Sequence, residues 1–234
     1  MGRKKAVSVM PSPLSCVHVK AKTINQHKAY KEFHKGYNLI LHGVPGTGKT
    51  FISMHMALTV VLAEEPKQQQ VVIIRSAVPS REIGYLPGSL KEKISAYEDP
   101  YRDICTDLFE KGTAYEELKA RKQLVFATTS YLRGVTFKDS IIIVDEMQNL
   151  NYEELRTVIT RVGDNSRLIF SGDYRQSDFE RYKDREGLGH FLNIIDTMES
   201  FAKIEFDHND IVRNGLVKDF IIRESQYQDA GHVI

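Results

Sequence analysis

Eight consecutive residues, Gly43-Val-Pro-Gly-Thr-Gly-Lys-Thr50, combine three glycines with a lysine and a hydroxyl at fixed offsets. The pattern is GxxxxGK[ST], which average residue usage places by chance in about one per cent of chains this long. Its chemistry is the holding of phosphate. Glycines at positions 43, 46 and 48 let the backbone turn and approach where a Cβ would block it. The N–H groups of the loop and of the following helix can then converge on an anion. On this reading Gly43, Val44, Pro45, Gly46, Thr47 and Gly48 cradle the phosphates of ATP, Lys49 reaches the β- and γ-phosphates, and the Thr50 hydroxyl holds Mg2+. A Gly-rich turn that merely opens a helix would not need a Lys-Thr pair at that spacing.

A second feature is Ile141-Ile-Ile-Val-Asp-Glu146, four β-branched residues ending in two carboxylates. Alone, such an ending marks only where a strand meets solvent. Downstream of a phosphate loop it gains a role. Asp145 is then the acid that holds Mg2+ through its water shell, and Glu146 is placed to polarise the attacking water as general base. A carboxylate in the base position favours hydrolysis over transfer to a small-molecule acceptor, so an ATPase is expected ahead of a metabolite kinase.

These groups need rigid elements to hold them. Tyr37–His42 is a short apolar run before the loop, and Phe51–Glu64 carries apolar residues at helical spacing after it, giving strand, Gly-rich loop, helix. Further strand-like runs are Val71–Ile74, Leu124–Ala127, Ile141–Val144, Leu168–Phe170 and Lys203–Phe206, with helices expected at Ala21–Lys35, Tyr152–Arg161 and His190–Ser200. Strands alternating with helices predict an α/β fold, its mostly parallel sheet covered by helices on both faces, and the phosphate loop makes it a three-layer P-loop NTPase. Residues 76–123 hold no strong strand and read as a helical excursion from the same domain.

The chain has 234 residues, 41% hydrophobic and 27% charged, a globular composition that excludes disordered and collagen-like classes. Cys16 and Cys105 are too few and too far apart for a disulfide framework, which points to a reducing, cytoplasmic location. No apolar run approaches the roughly 18 residues of a membrane span, and no apolar stretch follows the basic start as a signal peptide would require. His18, His27, His34, His42 and His55 form no pattern with Cys or acids that suggests zinc. The net charge of +1 is a sum of opposites: residues 1–36 carry eight bases and one acid, the rest 24 bases and 30 acids. Such asymmetry marks a phosphate-seeking arm or a solubilising leader. The expected organisation is a basic flexible leader over residues 1–19 and one ATPase domain over 20–234.

Asp145-Glu-Met-Gln-Asn149, followed by Ser171-Gly-Asp-Tyr-Arg-Gln176, resembles the nucleotide site of superfamily 1 helicases. The whole series resembles the PhoH family more closely. Arg75–Val78, Gly84–Lys93, Tyr131-Leu-Arg-Gly134, Thr160–Gly163, Asp210-Ile-Val-Arg213 and Leu216-Val217 join the motifs above in family order, over roughly residues 20–225. The resemblance implies roles that residue types alone do not. Gln26, in Thr23-Ile-Asn-Gln26, would read adenine; Gln176 would contact the γ-phosphate or the attacking water. Arg213 would be an arginine finger, its alternative being a surface salt bridge. Arg75 and Arg133 fall in segments similar to nucleic-acid-contacting or coupling motifs, or are structural ion-pair partners. The resemblance also implies a RecA-like core and a homo-oligomer, a hexameric ring. The expectation drawn from it is that a neighbouring subunit completes the site with Arg213 acting across the interface, action within its own chain being the alternative.

Two departures stand out: Gly43-Val-Pro-Gly46 where many members have Gly-Pro-Ala-Gly, and Met147 where they have alanine. Neither touches a group expected to contact phosphate or metal. About 20 residues ahead of the core leave no room for the PIN nuclease or KH module of some members, so RNase activity is not carried over. The expected function is Mg-dependent ATP hydrolysis coupled to RNA or single-stranded DNA binding. The alternative is a nucleotide-dependent switch acting on a protein partner.

Overall fold

A computed structural model of the chain describes residues 14–76, 90–132, 134–173 and 182–229. They form strands β1 (Asn38–Gly43), β2 (Gln70–Arg75), β3 (Leu124–Thr128), β4 (Ser140–Val144), β5 (Arg167–Gly172) and β6 (Phe201–Phe206). The helices are α1 (Ile24–His34), α2 (Lys49–Val61), α3 (Leu90–Phe109), α4 (Ala114–Ala120), α5 (Tyr152–Ile159), α6 (Tyr182–Asp196) and α7 (Gly215–Asp229). The strands make one sheet in the order β3-β2-β4-β5-β1-β6, every pair parallel. All strands therefore end on one edge, and the loops that leave them share it.

Parallel strands buried on both faces read as continuous apolar runs, and the alternation of side chains sorts them into two cores. Leu39, Leu41, Val71, Ile73, Ile141 and Ile143 point to one face, packed by α1 to α4 through Phe33, Ile52, Leu58, Tyr101 and Leu118. Ile40, Val72, Ile74, Ile142 and Val144 point to the other, packed by α5 and α6 through Leu155, Val158, Leu188 and Phe191. The three-layer α/β architecture is the one expected, and the interval 76–123 does hold helices, α3 and α4.

Two boundaries and one helix differ from expectation. The expected leader does not extend to residue 19. Leu14, Cys16 and Val19 pack on the first core, and the Val17 N–H donates to the Leu108 carbonyl at 2.8 Å, so the folded unit begins before residue 20; residues 1–13 lie outside the described residues. Helix α6 ends at Asp196 rather than 200, because the chain turns through Met198 and Ser200 into β6, where the Ser200 carbonyl accepts from Asn38 N–H at 3.0 Å. Helix α7 was not among the expected helices; Leu216 and Phe220 are exposed, and Ile221 alone of its described residues is buried. Among the described residues no helix is long and apolar enough to cross a membrane.

Candidate nucleotide site

Strand β1, buried on both faces, delivers Gly43 at its end. The residue has φ +127°, and a Cβ there would lie 1.9 Å from the Phe206 carbonyl oxygen, so only glycine fits between the neighbouring strands. Val44 N–H donates to that same oxygen at 3.1 Å. The loop then turns through Gly46 and Gly48, both left-handed (φ +74° and +79°), and α2 starts at Lys49. The Lys49 ammonium, 9% exposed, lies inside the loop, donating to the Gly43 and Val44 carbonyls at 2.8 Å each and to Thr47 Oγ1 at 3.3 Å. Burial lowers its pKa, opposed by Asp173, Glu146, Asp145 and Asp210. The ammonium is thus held by oxygens of its own loop, in the field of the acids at the neighbouring strand ends.

The acids come from two other strands. Asp145 follows β4, its Oδ1 accepting from the Thr50 hydroxyl at 2.9 Å and its Oδ2 from the Tyr101 hydroxyl at 2.9 Å. A hydroxyl and a carboxylate brought together at the loop are the hard oxygen donors that suit Mg2+. Burial and the neighbouring Asp145 hold the Tyr101 phenol well above its ordinary pKa, so it stays a donor. Glu146 sits in the left-handed region (φ 52°, ψ 46°), which costs a non-glycine residue about 1–3 kcal/mol and is typical of functional sites. Gln148 Nε2 donates to Glu146 Oε2 at 2.5 Å, and Gln148 Oε1 accepts from Asp173 N–H at 3.0 Å, past the end of β5. Burial, then Asp145, raises the Glu146 pKa; the Gln148 hydrogen bond, Arg75 and Lys49 oppose that rise. A carboxylate made more basic and fixed in orientation has the properties of a general base.

Gln26 lies on α1, 4% exposed, beside the loop. Its Nε2 donates to the Thr47 carbonyl at 2.9 Å, and its Oε1 accepts from Lys22 N–H at 2.8 Å. Here it braces the loop. Arg213 follows β6, where Val212 N–H donates to the Gly46 carbonyl at 3.1 Å, and the Arg213 Cγ would be 3.0 Å from a Cβ on Gly46. Its stem therefore leans on the loop of its own chain, with the side chain exposed. Arg75 ends β2, its guanidinium 5.5 Å above the Tyr97 ring of α3. Gln176 and Arg133 lie outside the described residues, as do residues 77–89, which hold parts of two of the quoted motifs.

Four site groups were not singled out as individual residues from the sequence. Gln148, Asp173 and Asp210 stood inside quoted motifs without a role, whereas Tyr101 carried no signal at all. Asp210, 2% exposed, takes Asn25 Nδ2 at 2.7 Å and Asp207 N–H at 2.9 Å, which ties α1 to the segment that carries Arg213.

A family profile described as PhoH-like protein matches residues 18–223. A PhoH-like protein of Synechocystis is 32% identical over 204 residues, covering 87% of this chain and 61% of that protein. One of Bacillus subtilis is 30% identical over 204 residues, covering 87% and 63%. Protein PhoH of Escherichia coli is 29% identical over 178 residues, covering 74% and 49%. The chain thus spans from about half to just under two thirds of these relatives' lengths. Among solved structures, the large terminase of a thermophilic bacteriophage superposes with a TM-score of 0.51 at 15% identity, covering 86% of this chain and 50% of that one. The same terminase in complex with ADP superposes with a TM-score of 0.50. At these identities the likeness is one of fold.

Proposed function

The chain belongs to the PhoH family, and from that premise we propose that it is a P-loop ATPase whose hydrolysis of ATP is coupled to RNA or single-stranded DNA. The observation that carries the reading is the meeting of three strand ends. Lys49 and Thr50 come from the loop after β1, Asp145 and Glu146 from the end of β4, and Asp173 from the end of β5 between them. The backbone of Gly43–Gly48 and the start of α2 hold the phosphates. Lys49 exchanges loop carbonyls for β- and γ-phosphate oxygens, and Glu146, held by Gln148, takes the proton of the attacking water. The Thr50 hydroxyl and Asp145 would hold Mg2+, which would supply charge neutralisation at the phosphates.

Arg213 and Gln176 are assigned to the γ-phosphate side, and Gln26 to the adenine side through its second amide hydrogen. The Arg213 stem beside Gly46 of the same chain supports action on the nucleotide of its own chain, in place of the expected action across an interface. Arg75, on the same sheet edge, and Arg133 are assigned to the polymer. Membership of the family carries the expected ring of copies; mass in solution with and without ATP tests it, and a strict monomer with full turnover overturns it. Cys16 and Cys105 are free thiols, which supports a reducing, cytoplasmic site of action. The deciding experiment is ATP hydrolysis with RNA, with single-stranded DNA and with no polymer, at several salt concentrations. Salt-sensitive stimulation is expected, because phosphate contacts release counterions. Hydrolysis indifferent to polymer would favour the nucleotide-dependent switch.

A further inference from the structure

Tyr101 reaches the site from an element that the catalytic motifs do not include. It lies on α3, in the excursion between β2 and β3, and its side chain is fully buried. The ring is tilted against Phe126 of β3, centroids 5.7 Å apart. Its hydroxyl donates to Asp145 Oδ2 at 2.9 Å, while the other oxygen of that carboxylate takes the Thr50 hydroxyl at 2.9 Å. A carboxylate gripped at one oxygen only can swing about its side-chain torsions. Gripped at both, it has one orientation.

The helix that presents Tyr101 is itself braced. One turn earlier, Tyr97 packs under the Arg75 guanidinium at the end of β2, and Asp145 N–H donates to the Ile74 carbonyl of the same strand at 2.9 Å. On the α4 side, Glu98 is 6% exposed and accepts from Lys119 Nζ at 2.8 Å and from Arg102 Nη2 at 3.0 Å. The excursion is therefore joined to the acid through Tyr101 and to the adjoining strand end through Tyr97.

We propose that Tyr101 is a positioning residue for Asp145: by holding Oδ2 it fixes Oδ1 against the Thr50 hydroxyl, and so couples α3 to the metal side of the nucleotide site. The inference rests on the nucleotide-site reading above. Tyr101 donates a hydrogen bond and transfers no proton. Phenylalanine in its place keeps the ring in its packing and removes only the donor.

The test uses the full chain as wild type, Tyr101→Phe and Tyr115→Phe. Tyr115 is a buried phenol on α4, beside Arg102 and Lys119, and serves as the control for losing a hydroxyl from the excursion. The dissociation constant of a fluorescent ADP analogue is measured in EDTA and then across a Mg2+ titration. Tyr101→Phe should bind as wild type does in EDTA, and its half-maximal Mg2+ concentration should rise about tenfold, the size typical of losing a group that orients a metal ligand. Tyr115→Phe should leave both unchanged. Any unfolded fraction lowers binding with and without Mg2+ alike, so it cancels from the ratio within each variant. An unchanged Mg2+ requirement in Tyr101→Phe, or equal weakening in both conditions, overturns the proposal. A wild-type chain with no Mg2+-dependent nucleotide binding overturns the site reading itself.

Discussion

Gly172, the last residue of β5, owes its identity to a side chain from another strand end. A Cβ on Gly172 would lie 2.2 Å from Gln148 Oε1 and 3.0 Å from Met147 N and Cγ. Contact is ordinary only beyond 3.4 Å, so Gly172→Ala must push the Gln148 carboxamide more than an ångström away. That breaks the 3.0 Å bond from Asp173 N–H and the 2.5 Å bond to Glu146. A neutral hydrogen bond contributes about 0.5–1.5 kcal/mol and one to a charged group about 1.5–3. With Glu146 only half-buried, the lower end applies, and the sum is about 2–3 kcal/mol. For a chain of this size that is a fall of roughly 5–10 °C in melting temperature. Turnover should fall at least about tenfold, because Glu146 loses the donor that fixes it. Gln148→Ala removes the same bonds and also the clash. The double variant should therefore be less damaged than the two losses added, with a coupling of about 1–2 kcal/mol; the approach to Met147 leaves a residue. Melting and kcat of the four proteins measure it. Additive losses, or a Gly172→Ala protein that melts and turns over as wild type, would refute the linkage.

Lys49→Ala should abolish nucleotide binding, whereas Glu146→Gln should bind ATP and hydrolyse it at least about a hundredfold more slowly; near-wild-type turnover would remove Glu146 as the base. Burial pulls the His42 imidazole down from 6.5 to about 4, with Glu205 opposing and Lys203 adding to the shift. Folding thus favours the neutral ring: its contribution is intact above pH 6.5 and is lost as pH falls toward 4, on the order of 2 kcal/mol. His42→Gln should flatten melting temperature across that window, and identical pH curves for the two proteins would contradict it. Arg213→Ala should cost about 10³-fold or more in turnover if it acts as a finger. Mixing it with Lys49→Ala subunits should restore nothing if the arginine serves its own chain, and recovered activity would mean that it serves a neighbour. Deleting residues 1–13, which hold Arg3, Lys4 and Lys5, should weaken binding of single-stranded nucleic acid and reduce the salt slope by up to about 2, leaving ATP affinity unchanged. Equal loss of both would assign the segment to folding.

The residues most legible in the sequence were those whose partners are close in the chain. Gly43, Gly46, Gly48, Lys49 and Thr50 act through one loop, and that loop's geometry is encoded by residues within eight positions of one another. Asp145 and Glu146 were legible because four β-branched residues before them announce a buried strand that ends there. The apolar runs, alternating with helical segments, also showed the sheet to be parallel and covered on both faces. Helix α7 was readable in principle, since Leu216, Val217, Phe220 and Ile221 recur at helical spacing, but only the structure shows that Ile221 is the side of that stripe that is buried.

Local pattern determined the phosphate loop, the acidic strand end and the α/β class, because φ, burial and helix or strand period are properties of short segments. Tertiary structure alone decided which distant groups complete them. Tyr101 meets Asp145 across 44 positions, Gln148 meets Asp173 across 25, and Asn25 meets Asp210 across 185. It also set the Arg213 stem against its own loop and turned Gln26 toward the Thr47 carbonyl. A single hydrogen bond between segments so far apart leaves no periodicity or spacing behind; it exists only because the parallel sheet brings every strand end to one edge.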